Sequence, residues 1–214
     1  MTSLVPWPTP KRGLVAILRG VEPDDIIAVG QAIHDAGIEV IEVPLNSPRP
    51  FDSIERLARH LPSAMIGAGT VLTARDVADL DAAGGRLMVS PNVDARVIQH
   101  ASERGMATMP GVFSPTEALA AIHAGASALK FFPASVLGPK GIAAIRAVLP
   151  RDCIVGAVGG VSDTDFASYG KVGVRLFGLG SSLYAPRLGA AEVGERARNA
   201  VAAWDAVFGD SGGG

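Results

Sequence analysis

Lys130 sits in the apolar run Ala128-Leu129-Lys130-Phe131-Phe132-Pro133-Ala134, where an ammonium is costly to keep. Burial disfavours the charged form, lowers the pKa and frees the nitrogen lone pair for attack on a carbonyl, as a Schiff-base lysine requires. The other lysines, Lys11, Lys140 and Lys171, lie beside Arg, Pro or Gly in expected loops or helix starts. The bland alternative is a strand-end lysine whose stem covers apolar surface while its head reaches water. A carboxylate offers complementary chemistry. In Glu39-Val40-Ile41-Glu42-Val43, strand alternation puts Val40, Glu42 and Pro44 on one face and Ile41 and Val43 on the other. An inward Glu42 is a general acid/base with a raised pKa, or the structural ion partner of Arg19 or Lys130. Arg19, before Gly20, carries a fork that suits a carboxylate; a surface salt bridge is its alternative. Gly159-Gly160 before Val161-Ser162-Asp163, and Gly178-Leu179-Gly180-Ser181-Ser182, read as turns that offer backbone N–H groups to an anion.

These groups are spread over most of the chain, so a fold must gather them. Short apolar runs alternate with amphipathic segments, the signature of βα units and a parallel sheet. The expected strands are Leu14 to Leu18, Val40 to Val43, Met65 to Ala68, Leu87 to Val89, Ala107 to Met109, Ala128 to Phe131, Ile154 to Ala157 and Leu176 to Leu179. Glycine closes the intervening helices at Gly37, Gly84, Gly105 and Gly125, where a left-handed residue ends a helix. Helix starts are marked at Asp24-Asp25, Thr73 to Asp76, Asn92 to Asp94, Ser114 to Glu117 and Ser162-Asp163. The expectation is a single-domain α/β (β/α)8 TIM barrel over residues 11–208, with a flexible Pro-rich start at 1–10 and a flexible tail at 209–214. Such barrels carry their sites at the C-terminal ends of the strands. Arg19, Glu42, Gly69-Thr70, Ser90-Pro91-Asn92, Lys130, Gly159-Gly160 and Gly180-Ser181 then meet on one rim.

Composition narrows the classes. A net charge of -2 and a pI near 6.1 leave no basic footprint, which argues against nucleic acid. No apolar run approaches the ~20 residues needed to span a bilayer, and the start lacks a secretory h-region, so the expected location is cytoplasmic. The single cysteine, Cys153, reads as a small buried hydrophobe, and the four histidines show no metal-ligand spacing. Neither a metal nor an organic cofactor is expected.

The motifs Ala16-Ile17-Leu18-Arg19-Gly20, Glu42-Val43-Pro44-Leu45-Asn46-Ser47-Pro48, Ile66 to Leu72, Ala128 to Pro133, Ala157 to Val161 and Leu179-Gly180-Ser181 occur in one order. In this they resemble the family of class I 2-keto-3-deoxy-6-phosphogluconate aldolases, from Leu14 to about Val207. The resemblance implies that Lys130 is the Schiff-base lysine, Glu42 the general acid/base, and Gly159, Gly160 and Ser181 the phosphate site, beside Gly180. It places Thr70 and Pro91 at the pyruvate end and gives Arg19 a substrate oxygen or carboxylate. Pro44-Leu45-Asn46-Ser47 and Val158 match the galactonate rather than the gluconate branch, with Val158 near the C4 hydroxyl. The implied reaction cleaves a phosphorylated 2-oxo sugar acid to pyruvate and glyceraldehyde 3-phosphate, in a homotrimer. Gluconate-type or 4-hydroxy-2-oxoglutarate aldolase activity, phosphosugar epimerase or isomerase activity, and ligand binding without turnover are the alternatives.

Overall fold

Aliphatic and β-branched runs bounded by glycine form strands because both faces of a parallel sheet can be buried. The computed structural model describes residues 5–209. Its strands are β1 (Leu14–Ile17), β2 (Val40–Pro44), β3 (Met65–Gly69), β4 (Leu87–Val89), β5 (Ala107–Met109), β6 (Gly111–Val112), β7 (Leu129–Phe131), β8 (Val155–Val158) and β9 (Leu176–Leu179). All ladders are parallel, in the order β5-β4-β3-β2-β1-β9-β8-β7-β6. Because β5 and β6 are consecutive in the chain, the two ends of that order meet in a nearly closed, TIM-barrel-like ring.

The expected eight-stranded (β/α)8 barrel is corrected in one respect: the fifth strand is two segments. Pro110 lies between them and has no N–H to donate, so the ladder breaks there. β5 then pairs with β4 and β6 with β7. The Pro110 carbonyl still accepts from the Lys130 N–H at 3.0 Å, which keeps the ring together beside the lysine.

Around the sheet pack α1 (Ile26–Asp35), α2 (Pro50–His60), α3 (Ala74–Ala82), α4 (Ala95–Glu103), α5 (Pro115–His123), α6 (Ala134–Arg146), α7 (Phe166–Gly170) and α8 (Ala190–Phe208). Their ends follow local chemistry. Thr73 and Asp76 close a reciprocal capping box on α3, Asp94 caps α4 and Ser114 caps α5. Gly37, Gly84, Gly105 and Gly125 all take positive φ, as helix-ending glycines should.

Strand alternation sorts the core into two shells. Ala16, Ile41, Val43, Leu129, Phe131 and Phe177 face the helices, whereas Val15, Ile17, Val40, Leu87, Met109, Ala128, Val158 and Leu176 fill the lumen. Of the start expected to be a flexible extension, residues 1–4 lie outside the described residues. Within the rest, Pro6 and Thr9 are exposed, but Trp7, only 8% exposed, joins the lumen cluster. The Val5 carbonyl accepts from Ser127 Oγ at 2.6 Å, and Ser127 and Thr108 exchange hydrogen bonds in turn. Trp7 thus closes the floor of the barrel. At the other terminus, residues 210–214 of the expected tail are outside the described residues.

Candidate active site

Both titratable candidates point into the lumen, as alternation demands. Lys130 occupies the centre of β7, with Gly111 and Gly156 as its register partners on either side. It is 7% exposed, and its Nζ lies 4.8 Å from the centroid of the Phe132 ring. Burial holds its pKa below the usual lysine range; Glu42 works against that depression and the Arg19 charge adds to it. The free amine is therefore accessible at lower pH than in an ordinary lysine.

Glu42 is 2% exposed, and its Oε2 has no hydrogen-bond partner. Burial raises its pKa to about 7, against the opposing pull of Lys130, Arg19 and the Gly69 backbone. A carboxyl group poised near neutrality can both take and return a proton. The sequence makes room for it: a Cβ added to Gly69 would come within 2.1 Å of Oε2, so residue 69 must lack a side chain. Thr70, next in the chain, holds a positive φ of 59°, a strained backbone for a β-branched residue.

The wall opposite is built from the turns after β8 and β9. Gly159 and Gly160 take φ values of 92° and 69°, which only glycine adopts freely. Side chains there would also strike Phe132 and Ser135. Ser182 Oγ donates to the Val161 carbonyl at 3.1 Å, fastening the Gly180-Ser181 turn to the Gly159-Gly160 turn. Arg19 is exposed at the mouth, and its guanidinium donates to Asn46 Oδ1.

One cavity of about 410 Å³ joins these groups. Arg19, Glu42, Thr70, Pro91, Lys130, Val158, Gly159, Gly160, Gly180 and Ser181 all line it, so every expected site residue reaches the same space. Phe132, Tyr184 and Pro186 line it as well, beyond the set expected from the sequence. Phe132 was legible, since it lies two residues beyond Lys130 on the same side of the strand. Tyr184 and Pro186 belong to a loop whose path no local pattern gives. Cys153 lies outside this cavity, half-buried, with its thiol pushed up by burial. That is a poor nucleophile.

The cavity thus gathers a lysine, an arginine, one carboxyl group with a pKa near neutrality and two glycine turns. Residues 10–195 match the family described as KDPG and KHG aldolase. The chain belongs to that aldolase family. KDPG and KHG aldolases are carbon–carbon lyases of the Schiff-base class, which agrees with a buried lysine and a buried carboxyl group lining one cavity. A "Probable 2-dehydro-3-deoxy-6-phosphogalactonate aldolase" of Rhizobium meliloti is 58% identical over 206 residues, 96% of this chain and 97% of that protein. The 2-dehydro-3-deoxy-6-phosphogalactonate aldolase of Escherichia coli K12 is 46% identical, covering 83% of this chain and 87% of its own. A solved structure described as "Native KDPGal structure" superposes with a TM-score of 0.92 at 41% identity, over 95% of this chain and 99% of that one.

Proposed function

We propose that the protein cleaves 2-dehydro-3-deoxy-6-phospho-D-galactonate to pyruvate and D-glyceraldehyde 3-phosphate. The observation that carries this reading is the convergence of buried Lys130, Glu42 and the paired glycine turns on one cavity, in a chain 58% identical to a relative of that name.

The neutral amine of Lys130 attacks the C2 ketone; loss of water leaves an iminium, with Glu42 moving the protons. Glu42, directly or through one water, then takes the C4 hydroxyl proton. The C3–C4 electron pair moves onto C3 and into the iminium, so the aldehyde departs and an enamine of pyruvate remains on Lys130. Glu42 returns the proton to C3, and hydrolysis frees pyruvate and the amine. Arg19 holds a substrate oxygen or carboxylate, Thr70 and Pro91 bound the pyruvate end, and Gly159, Gly160, Gly180 and Ser181 cradle the phosphate. Val158 faces the C4 hydroxyl with an apolar surface, which removes a hydrogen bond instead of adding one.

The direct test is pyruvate release from the phosphogalactonate and phosphogluconate epimers, side by side. The expected result is a faster rate with the galactonate epimer; equal rates point to a dual-specificity enzyme, and no release from either refutes the aldolase reading. The phosphate site has its own test. Gly160→Asp adds a carboxylate and a side chain at a position with φ of 69° and Ser135 Oγ only 2.6 Å from the new Cβ. KM for phosphorylated substrate should rise roughly tenfold to hundredfold, as expected for like charge at an anion site. An unchanged KM moves the phosphate elsewhere.

The same reading makes residues 11–208 one catalytic domain and the assembly a homotrimer, for which exposed apolar groups such as Phe113 and Val136 offer contact surface. No helix among the described residues is long and apolar enough to cross a membrane, and the reading puts the enzyme in the cytoplasm.

A further inference from the structure

The loop after β2 holds the loop after β1. Asn46 Oδ1 accepts a hydrogen bond from Arg19 Nη1, and Ser47 Oγ accepts one from the Gly20 N–H at 2.9 Å. Asn46 is exposed, but the backbone on either side of it is anchored. Ser47 is buried, its N–H donates to the Pro44 carbonyl at 2.9 Å, and the Leu45 N–H donates to the Gly69 carbonyl at 2.8 Å. On its far side the turn presses against Pro186, whose Cγ would lie 2.9 Å from a Cβ on Gly20.

Arg19 makes no ion pair among the described residues, so no carboxylate contact neutralises its charge. An exposed arginine captures an anion at the cost of freezing several rotors, unless something already holds it. A carboxamide acceptor can hold it without neutralising it, which a carboxylate at the same place could not. From this geometry we infer that Asn46 is a positioning residue, fixing the Arg19 guanidinium at the cavity mouth for an anionic oxygen of the substrate. The inference rests on Arg19 as a substrate-binding group.

Steady-state kinetics of Arg19→Met, Asn46→Ala, Asn46→Asp and the double variant Arg19→Met/Asn46→Ala test it, on the phosphogalactonate substrate. Asn46→Ala should raise KM about five- to twentyfold with kcat within about twofold of wild type. Asn46→Asp should also raise KM, because it keeps the acceptor but adds a charge that competes for Arg19. The double variant should be no worse than Arg19→Met alone. A purely structural role predicts the opposite pattern, with Asn46→Asp like wild type and additive losses in the double variant, and that result overturns the inference. If Arg19→Met raises KM and Asn46→Ala does not, the inference alone falls. If Arg19→Met leaves KM unchanged, the substrate-binding role of Arg19 falls with it.

Discussion

Lys130→Met is expected to lower the rate of pyruvate release by roughly 10⁴-fold or more, because the covalent route disappears with the amine. The same substitution should make the protein harder to unfold. In the native state Lys130 is buried with its pKa depressed, so below that pKa the fold carries a desolvated ammonium that the unfolded chain hydrates freely. Removing the lysine also removes the positive charge that pulls the Glu42 pKa down, so Glu42 stays neutral to higher pH and leaves no orphaned charge. Methionine fills similar space. Borohydride reduction with pyruvate, followed by mass analysis, decides the chemical half: wild type gains mass on a peptide containing Lys130 and the variant gains none. A variant that still traps pyruvate would place the nucleophile elsewhere. Thermal scans decide the other half, with a higher Tm for the methionine variant expected near neutral pH.

The second large effect is at Glu42. Glu42→Gln keeps the shape and removes the proton transfer, and kcat should fall roughly 10²- to 10⁴-fold. The pH profile carries the more specific signature. Wild-type kcat/KM should rise through a limb near pH 7 as Glu42 ionises, following its pKa of about 7, and the variant should lack that limb. The stability dependence has a definite sign. Because the folded pKa lies above the unfolded one, the native state keeps a proton that the unfolded chain has released between roughly pH 4.5 and 7. This group's contribution is thus most favourable below that window and is lost as pH rises through it. Glutamine abolishes the loss, so the variant should be more stable than wild type by up to about 3 kcal/mol at pH 8 and nearly equal to it at pH 5. Denaturant unfolding at the two pH values measures the difference. A wild-type limb that survives in Glu42→Gln would assign the base to another group.

Much of this site was legible in the sequence because its decisive features are local. A lysine within an apolar run, a glutamate on an alternating strand and glycines paired after two strands each state their own orientation, and a βα pattern brings strand ends to one rim. The helix-ending glycines were readable for the same reason. What escaped depends on partners far away in the chain. Pro110 divides the fifth strand because it brings no N–H to a strand that must pair with β4 on one side and with β7 on the other. Trp7 lies in a proline-rich start, and its place at the end of the lumen is shared with Val40, Leu87 and Leu176, none of them nearby in sequence. The Arg19–Asn46 contact spans 27 residues and depends on the register of β1 with β2.

The tryptophan under the lumen has a kinetic corollary. Trp7 packs the lumen at the strand starts, whereas the cavity that Lys130 lines lies towards the strand ends. On the proposed Schiff-base route, glyceraldehyde 3-phosphate leaves first and pyruvate last, after water has followed the aldehyde inward to cleave it from the lysine. Run backwards, pyruvate has to enter ahead of the aldehyde. The order of traffic on that route then suits a lumen packed at one end and open to the substrate at the other.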